Sequence, residues 1–233
     1  MIGVFDSGVG GVAAYRELRR RLPRADIIYL ADRDHAPYGT KSEEELIPLV
    51  SSVVKKLRQR GADRILIACC TASTVYPKLD AEDRAVCLPI IGCAAECFRG
   101  QRAGVIATEA TVRSRAFTDQ VHRLYPDAHV TEIAASELVT LVENGARDGA
   151  LDSVGEDVLE KITKELKKAE IDSLFLGCTH FSHLSAELSS RLPGVRIIDT
   201  ARIGAERLAL TYLNSKDNKS RRDISGLGRT IYM

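Results

Sequence analysis

Arg64-Ile-Leu-Ile-Ala-Cys-Cys-Thr-Ala-Ser73 and Ser173-Leu-Phe-Leu-Gly-Cys-Thr-His180 are two short apolar runs, each ending in cysteine and passing at once into small hydroxyl residues. A continuous β-rich apolar run bounded by small residues is how a strand covered on both faces appears, so both read as inner strands of parallel sheets. Each run carries a cysteine at its carboxyl end, the edge where ligands bind in open α/β sheets. Cys69 and Cys178 are therefore the pair to explain.

Working outward, strands are expected at Ile2-Gly-Val-Phe5, Asp26-Ile-Ile-Tyr-Leu30 and Leu88-Pro-Ile-Ile-Gly92, then at Gly104-Val-Ile-Ala107, His129-Val-Thr-Glu-Ile-Ala134 and Val195-Arg-Ile-Ile198. Helices are expected at 12–22, 43–60, 138–143 and 151–168, with a last one after Asp199-Thr-Ala201. Ser42 with Glu45 forms a capping box for the second of these, and Pro48 falls early in it, where a proline does least harm. The elements pair off along the chain: Asp6-Ser7 against Thr108, Tyr29-Leu30 against Ile133-Ala134, Cys69-Cys-Thr71 against Cys178-Thr-His180, and Ile90-Ile91-Gly92 against Ile197-Ile198-Asp199. This weak repeat at domain length predicts an α/β fold of two similar open parallel-sheet lobes related by a pseudo-two-fold axis, with the site in the cleft between them. The lobes are expected at 1–97 with 206–213 and at 98–205, followed by a loosely packed tail at 214–233 that has no periodicity.

Composition narrows the functional classes. The 233 residues are 45% hydrophobic and 28% charged, and the net charge is +1. That is ordinary for a globular protein and gives no electrostatic reason to expect nucleic acid or an anionic membrane surface as a partner. No apolar run approaches the roughly 18 residues that span a bilayer, and no basic leader precedes Ile2. The six cysteines lack disulfide-scaffold spacing, which points to a reducing, cytoplasmic setting.

Two loops fall at strand ends. Asp6-Ser-Gly-Val-Gly-Gly11 lacks a full G-x-G-x-x-G pattern, so a phosphate loop is a weak reading, and Asp6 or Ser7 alone would serve as a helix cap. Pro37-Tyr38-Gly39 is either a plain turn or a holder of a small polar ligand. Singly, Cys69 or Cys178 would be a buried strand residue. Two of them, placed equivalently in repeated halves and each followed within two residues by Thr, suggest acid/base groups on either side of one carbon, one thiolate taking a proton and one thiol returning another to the opposite face. That reaction is racemisation, and a thiol of pKa about 8.5 suits either role after modest tuning. Asp6 beside Cys69 and His180 beside Cys178 are at hand to orient a thiol or relay its proton. Zinc held by Cys69, Cys70, Cys178 and His180 is disfavoured because no C-x-x-C pair exists. His35 and His183 read as surface residues, and Cys87, Cys93 and Cys97 as packing.

Across nearly its whole length the chain resembles the cofactor-independent glutamate racemases of the Asp/Glu racemase superfamily. The resemblance rests on Val4-Phe-Asp-Ser-Gly-Val-Gly-Gly11, Pro37-Tyr-Gly-Thr-Lys-Ser42, Ala68-Cys69 with Thr71-Ala-Ser73, Thr108-Glu-Ala-Thr111 with Arg113-Ser114, and Leu176-Gly-Cys-Thr-His-Phe181. It implies an enzyme that interconverts L- and D-glutamate without cofactor or metal and supplies D-glutamate to peptidoglycan, with a small acidic amino acid as partner and a homodimer as a reasonable assembly. Cys69 and Cys178 would be the acid/bases, and Asp6, His180 and Glu143 would assist them. Ser7, Pro37, Tyr38, Gly39, Cys70, Thr71, Thr108, Thr111 and Thr179 would surround the substrate. Three departures stand out. The family normally has Asn after its first catalytic cysteine, where this chain has Cys70. Ser182-His183-Leu184 replaces Pro-Leu-Leu, and Cys93-Ala-Ala-Glu-Cys-Phe98 follows the fourth strand. A thiol is a poorer hydrogen-bond partner than an amide, and vicinal thiols are prone to oxidation. These changes keep open a racemase of another acidic amino acid such as aspartate, or a weakly catalytic paralogue that only binds.

Overall fold

A computed structural model describes residues 1–143, 153–215 and 228–232. Among the described residues nine strands form two sheets: β1 (Ile2–Asp6), β2 (Ile27–Ala31), β3 (Arg64–Ile67), β4 (Cys87–Pro89), β5 (Arg102–Ala107), β6 (His129–Ala134), β7 (Ser173–Gly177), β8 (Arg196–Asp199) and β9 (Thr230–Tyr232). The first sheet runs β4-β3-β1-β2-β9 and the second β8-β7-β5-β6, all parallel. Apart from β9 the two orders are the same, so the repeat read from the sequence is a repeat of topology. β3 and β7 hold equivalent inner positions.

Strand parity explains how the cysteines are aimed. In β3, Ile65 and Ile67 share a face with Cys69 and pack on the helix Glu43–Gln59, while Leu66, Ala68 and Cys70 face a second core. In β7, Leu174 and Leu176 share a face with Cys178, and Phe175 faces that second core. The second core is common to both lobes: it joins β1, β3, β5 and β7 to the helices Val12–Arg21, Ile90–Ala95 and Thr200–Asn214. Phe175 is wholly buried there, so truncating it to alanine should cost about 3–5 kcal/mol.

The capping box forms as read: the Glu45 amide donates to Ser42 Oγ at 3.3 Å, and the Ser42 amide donates to the Glu45 carboxylate at 2.8 Å. Helices also stand at Ser136–Glu143 and Ser153–Lys168, and residues 151 and 152 of the expected helix lie outside the described residues. One expectation is corrected. The fourth strand stops at Pro89, which has no amide hydrogen to continue pairing, and Ile90-Ile91-Gly92 opens a helix instead. Within the tail expected at 214–233, Thr230–Tyr232 joins the first sheet beside β2, with Tyr232 opposite Tyr29, and residues 216–227 and 233 lie outside the described residues. Among the described residues no helix is long and apolar enough to cross a membrane.

Candidate active site

The carboxyl ends of β1 and β3 face that of β7 across a cavity of about 320 Å³. Cys69 stands two residues beyond β3 and Cys178 directly beyond β7; both line the cavity and both are more than nine-tenths buried. The close approach of the lobes depends on Gly10. A Cβ there would stand 2.8 Å from His180 Nδ1 and nearer still to Thr179 Oγ1, so a side chain would push the walls apart.

On the first wall, Cys69 caps the short helix Cys70–Thr74, its sulfur accepting the Ala72 amide at 3.4 Å, and Ser7 Oγ lies 3.4 Å from the same sulfur. Burial pushes the Cys69 thiol up to about 11; the nearby Asp6 adds to this, and the bonds from Ser7 and Ala72 oppose it. Asp6 does not line the cavity but lies beneath the loop, accepting the Gly8 amide at 2.8 Å and the Thr179 hydroxyl at 3.2 Å. Burial raises its carboxyl above the usual range, against the Gly8 amide, the adjacent His180, the Gly11 amide and Thr179.

On the second wall, Cys178 Sγ lies 3.5 Å from His180 Nδ1, and Glu143 Oε1 lies 3.2 Å from His180 Nε2. That nitrogen is buried and has no aligned hydrogen-bond acceptor, so the Glu143 contact is close but off-axis. Burial also pushes the Cys178 thiol up; the His180 backbone amide opposes this, and charge on Cys69, Asp6 or Glu143 would reinforce it.

The lobes meet through hydroxyls. Thr71, Thr108 and Thr111 form a triangle with oxygens 2.9–3.1 Å apart, in which Thr71 comes from the first lobe. Thr71 and Thr108 line the cavity, and Thr111 stands behind them. Gly39 accepts the Ala110 amide at 2.9 Å, and a Cβ on Gly39 would stand 2.9 Å from Thr108. Pro37, Tyr38 and Gly39 line the cavity mouth. Cys70 lines its floor, with its sulfur 3.4 Å from Thr200 Oγ1, which donates to Leu176 O of β7 at 2.7 Å.

The sequence-predicted residues thus converge, with Asp6 and Thr111 directly behind the lining. Several residues of the site were missed. Asp32 is buried and accepts the Tyr38 hydroxyl at 2.6 Å and His35 Nδ1 at 2.8 Å, so His35 is exposed but not idle. Ser136, Val139 and Thr140 line the cavity beside Glu143; their spacing along one helix is the signal that would have found them. Gly8, Ala36 and Thr40 also line it. Among the described residues no group of three His, Cys, Asp or Glu side chains is arranged to hold a metal ion.

Two parallel α/β lobes with a thiol on each wall of the cleft define a class of enzyme suited to moving protons on both faces of a small molecule. The profile of the Asp/Glu/hydantoin racemases matches residues 2–208. The glutamate racemase of Gloeobacter violaceus is 36% identical over 225 residues, covering 95% of this chain and 84% of that one. Among solved structures, the glutamate racemase of Thermus thermophilus in complex with β-chloro-D-alanine superposes with a TM-score of 0.83 at 32% identity, covering 99% of this chain and 86% of that one. The glutamate racemase of Francisella tularensis in complex with D-glutamate gives a TM-score of 0.89 at 28% identity, with the same coverage of both chains. The chain belongs to the Asp/Glu/hydantoin racemase family, and it is an isomerase.

Proposed function

We propose that the protein interconverts L- and D-glutamate by two-thiol proton transfer at Cα. The observation that carries this reading is the pair of buried thiols, Cys69 and Cys178, lining one cavity from opposite lobes. One thiolate removes the α-proton while the other thiol delivers a proton to the opposite face, so the carbon inverts and each sulfur ends in the protonation state the reverse reaction needs.

Burial favours the protonated form of both sulfurs. Entry of the substrate's ammonium brings a positive charge beside them, which favours the thiolate. Asp6, behind Cys69 and linked to Thr179, and His180, beside Cys178 and facing Glu143, are the groups we assign to proton relay. The hydroxyls of Ser7, Thr71, Thr108 and Thr179, and the Pro37-Tyr38-Gly39 segment, are assigned to the carboxylates and ammonium. Thr111 holds Thr71 and Thr108 in place, and Cys70 forms the floor. The lobes we assign to this work are 1–97 with 206–213, and 98–205. Supply of D-glutamate for peptidoglycan, in a cytoplasm that keeps six thiols free, is the role that fits this reaction.

The test is chiral analysis of L- and D-glutamate, and of L- and D-aspartate, after incubation with the purified chain. Conversion of glutamate from both directions supports the reading; conversion of aspartate alone, or of neither, overturns it.

A further inference from the structure

The loop that carries Asp6, Ser7 and Gly8 is held from behind by a residue outside the cavity lining. Tyr29 of β2 is 4% exposed, and its hydroxyl donates to the Gly8 carbonyl at 3.0 Å. The amide of the same Gly8 donates to Asp6, and Ser7 beside it reaches the Cys69 sulfur. Gly8 is thus fixed on both sides, its carbonyl by Tyr29 and its amide by Asp6, through the two peptide units that flank its Cα.

Tyr29 is in turn held by the end of the chain. Its ring lies 5.8 Å from that of Tyr15 and 6.2 Å from that of Tyr232, and the Tyr15 and Tyr232 rings are 5.6 Å apart, so the three form a closed aromatic cluster. Strand β9, which carries Tyr232, is tied down by Arg19. That guanidinium donates to Thr230 Oγ1 at 2.6 Å and to the carbonyls of Ala25 at 2.7 Å and Arg229 at 3.0 Å. A further bond runs from the Ile27 amide to the Arg229 carbonyl at 3.0 Å.

We propose that Tyr29 is a positioning residue: braced by the terminal strand, its hydroxyl sets the Gly8 carbonyl and thereby holds Ser7 in hydrogen-bond contact with Cys69. This gives β9 a task at a site it does not touch. Burial and the neighbouring Asp6 raise the Tyr29 hydroxyl well above the ordinary tyrosine range, so it stays protonated and able to donate. The titratable groups around Cys69 are Asp6 on β1, Tyr29 on β2, Tyr38 on the following loop, and Cys70 and Cys178. Replacing Tyr29 by phenylalanine changes none of the other four.

The proposal rests on Cys69 being a working thiol, and its test separates the two ideas. Tyr29→Phe keeps the ring cluster and removes only the donor. Iodoacetamide alkylation of Cys69 and Cys178, followed by peptide mass spectrometry on one sample across pH, reports each thiol without requiring turnover. With the Ser7 contact loosened, Cys69 should alkylate about threefold more slowly below its midpoint while Cys178 is unchanged, and kcat/KM for glutamate should fall about three- to tenfold. Tyr232→Ala, which strips one ring from the side of Tyr29 and leaves its hydroxyl, should show the same selectivity at smaller size and decides the matter if Tyr29→Phe does not fold. An equal response of both thiols, or none, overturns the proposal. A selective Cys69 response in a chain that does not racemise glutamate would overturn the functional reading and leave this one standing.

Discussion

Cys69 and Cys178 occupy equivalent places beyond equivalent strands, yet their surroundings differ. Cys69 caps a helix, touches a serine hydroxyl and sits above a buried carboxylate. Cys178 makes no such cap and instead neighbours a histidine that faces Glu143. Repetition of the fold supplied two thiols at matching depth, while the loops beyond the strands gave each its own polar neighbours. A racemase needs that combination: its two faces must do opposite jobs in either direction, so the thiols need matched placement and separate control.

The largest effects should come from removing either wall. Cys69→Ala and Cys178→Ala should each lower kcat for glutamate roughly a hundred- to ten-thousandfold or more, as loss of a general acid/base does, with the fold intact by circular dichroism. A single alanine variant that still racemises would break the pairing of the walls. Next, His180→Asn should reduce kcat about ten- to a hundredfold, because it removes a proton-relaying imidazole beside Cys178, and Ser7→Ala about three- to tenfold, because it removes one neutral hydrogen bond to Cys69. Steady-state kinetics in both directions measures this difference between the walls. Equal effects would mean that the asymmetry seen in the contacts does not reach the chemistry.

Cys70→Asn probes the floor shared by both walls. The amide can keep a partner in Thr200 and offer a stronger donor than a thiol's, so KM for glutamate should fall by up to about tenfold. An unchanged KM would remove Cys70 from substrate contact. The smallest effect is on stability. Burial keeps the Cys69 thiol protonated up to about 11 in the folded chain, against a free-thiol pKa of about 8.5. Between those values the folded state holds more protons than the unfolded one, so stability falls as pH rises through this window. Thermal unfolding midpoints from about pH 8 to about pH 11 should decline less in Cys69→Ala than in the parent.

Much of this arrangement was legible in the sequence because buried parallel strands leave continuous apolar runs, and because Cys69 and Cys178 stand in matching positions in two such runs. Pairing the halves also made the likeness of the two sheets legible, although not their strand order. The rest was hidden for physical reasons. Ile90 and Ile91 look like strand, but Pro89 ends the pairing and burial beneath the last helix turns them helical. Thr230–Tyr232 is too short to show a period, and it is a strand only because β2 offers an open edge and two tyrosines await a third. Asp32 sits in a charged loop that reads as solvated, and its burial depends on Tyr38 folding back over it. Ser136 and Thr140 needed the helix face to be aimed before their spacing meant anything.

The measurement that bears most directly on the two-thiol account is the fate of solvent deuterium in the first moments of turnover. L- and D-glutamate are incubated separately in deuterated water, and the Cα label is read in substrate and product before equilibrium is approached. Two thiols on opposite faces predict deuterium at Cα of the newly formed enantiomer while the remaining substrate stays unlabelled, from either direction. Early label in both enantiomers would mean that one group serves both faces, and no label in either would mean that the cleft binds without inverting.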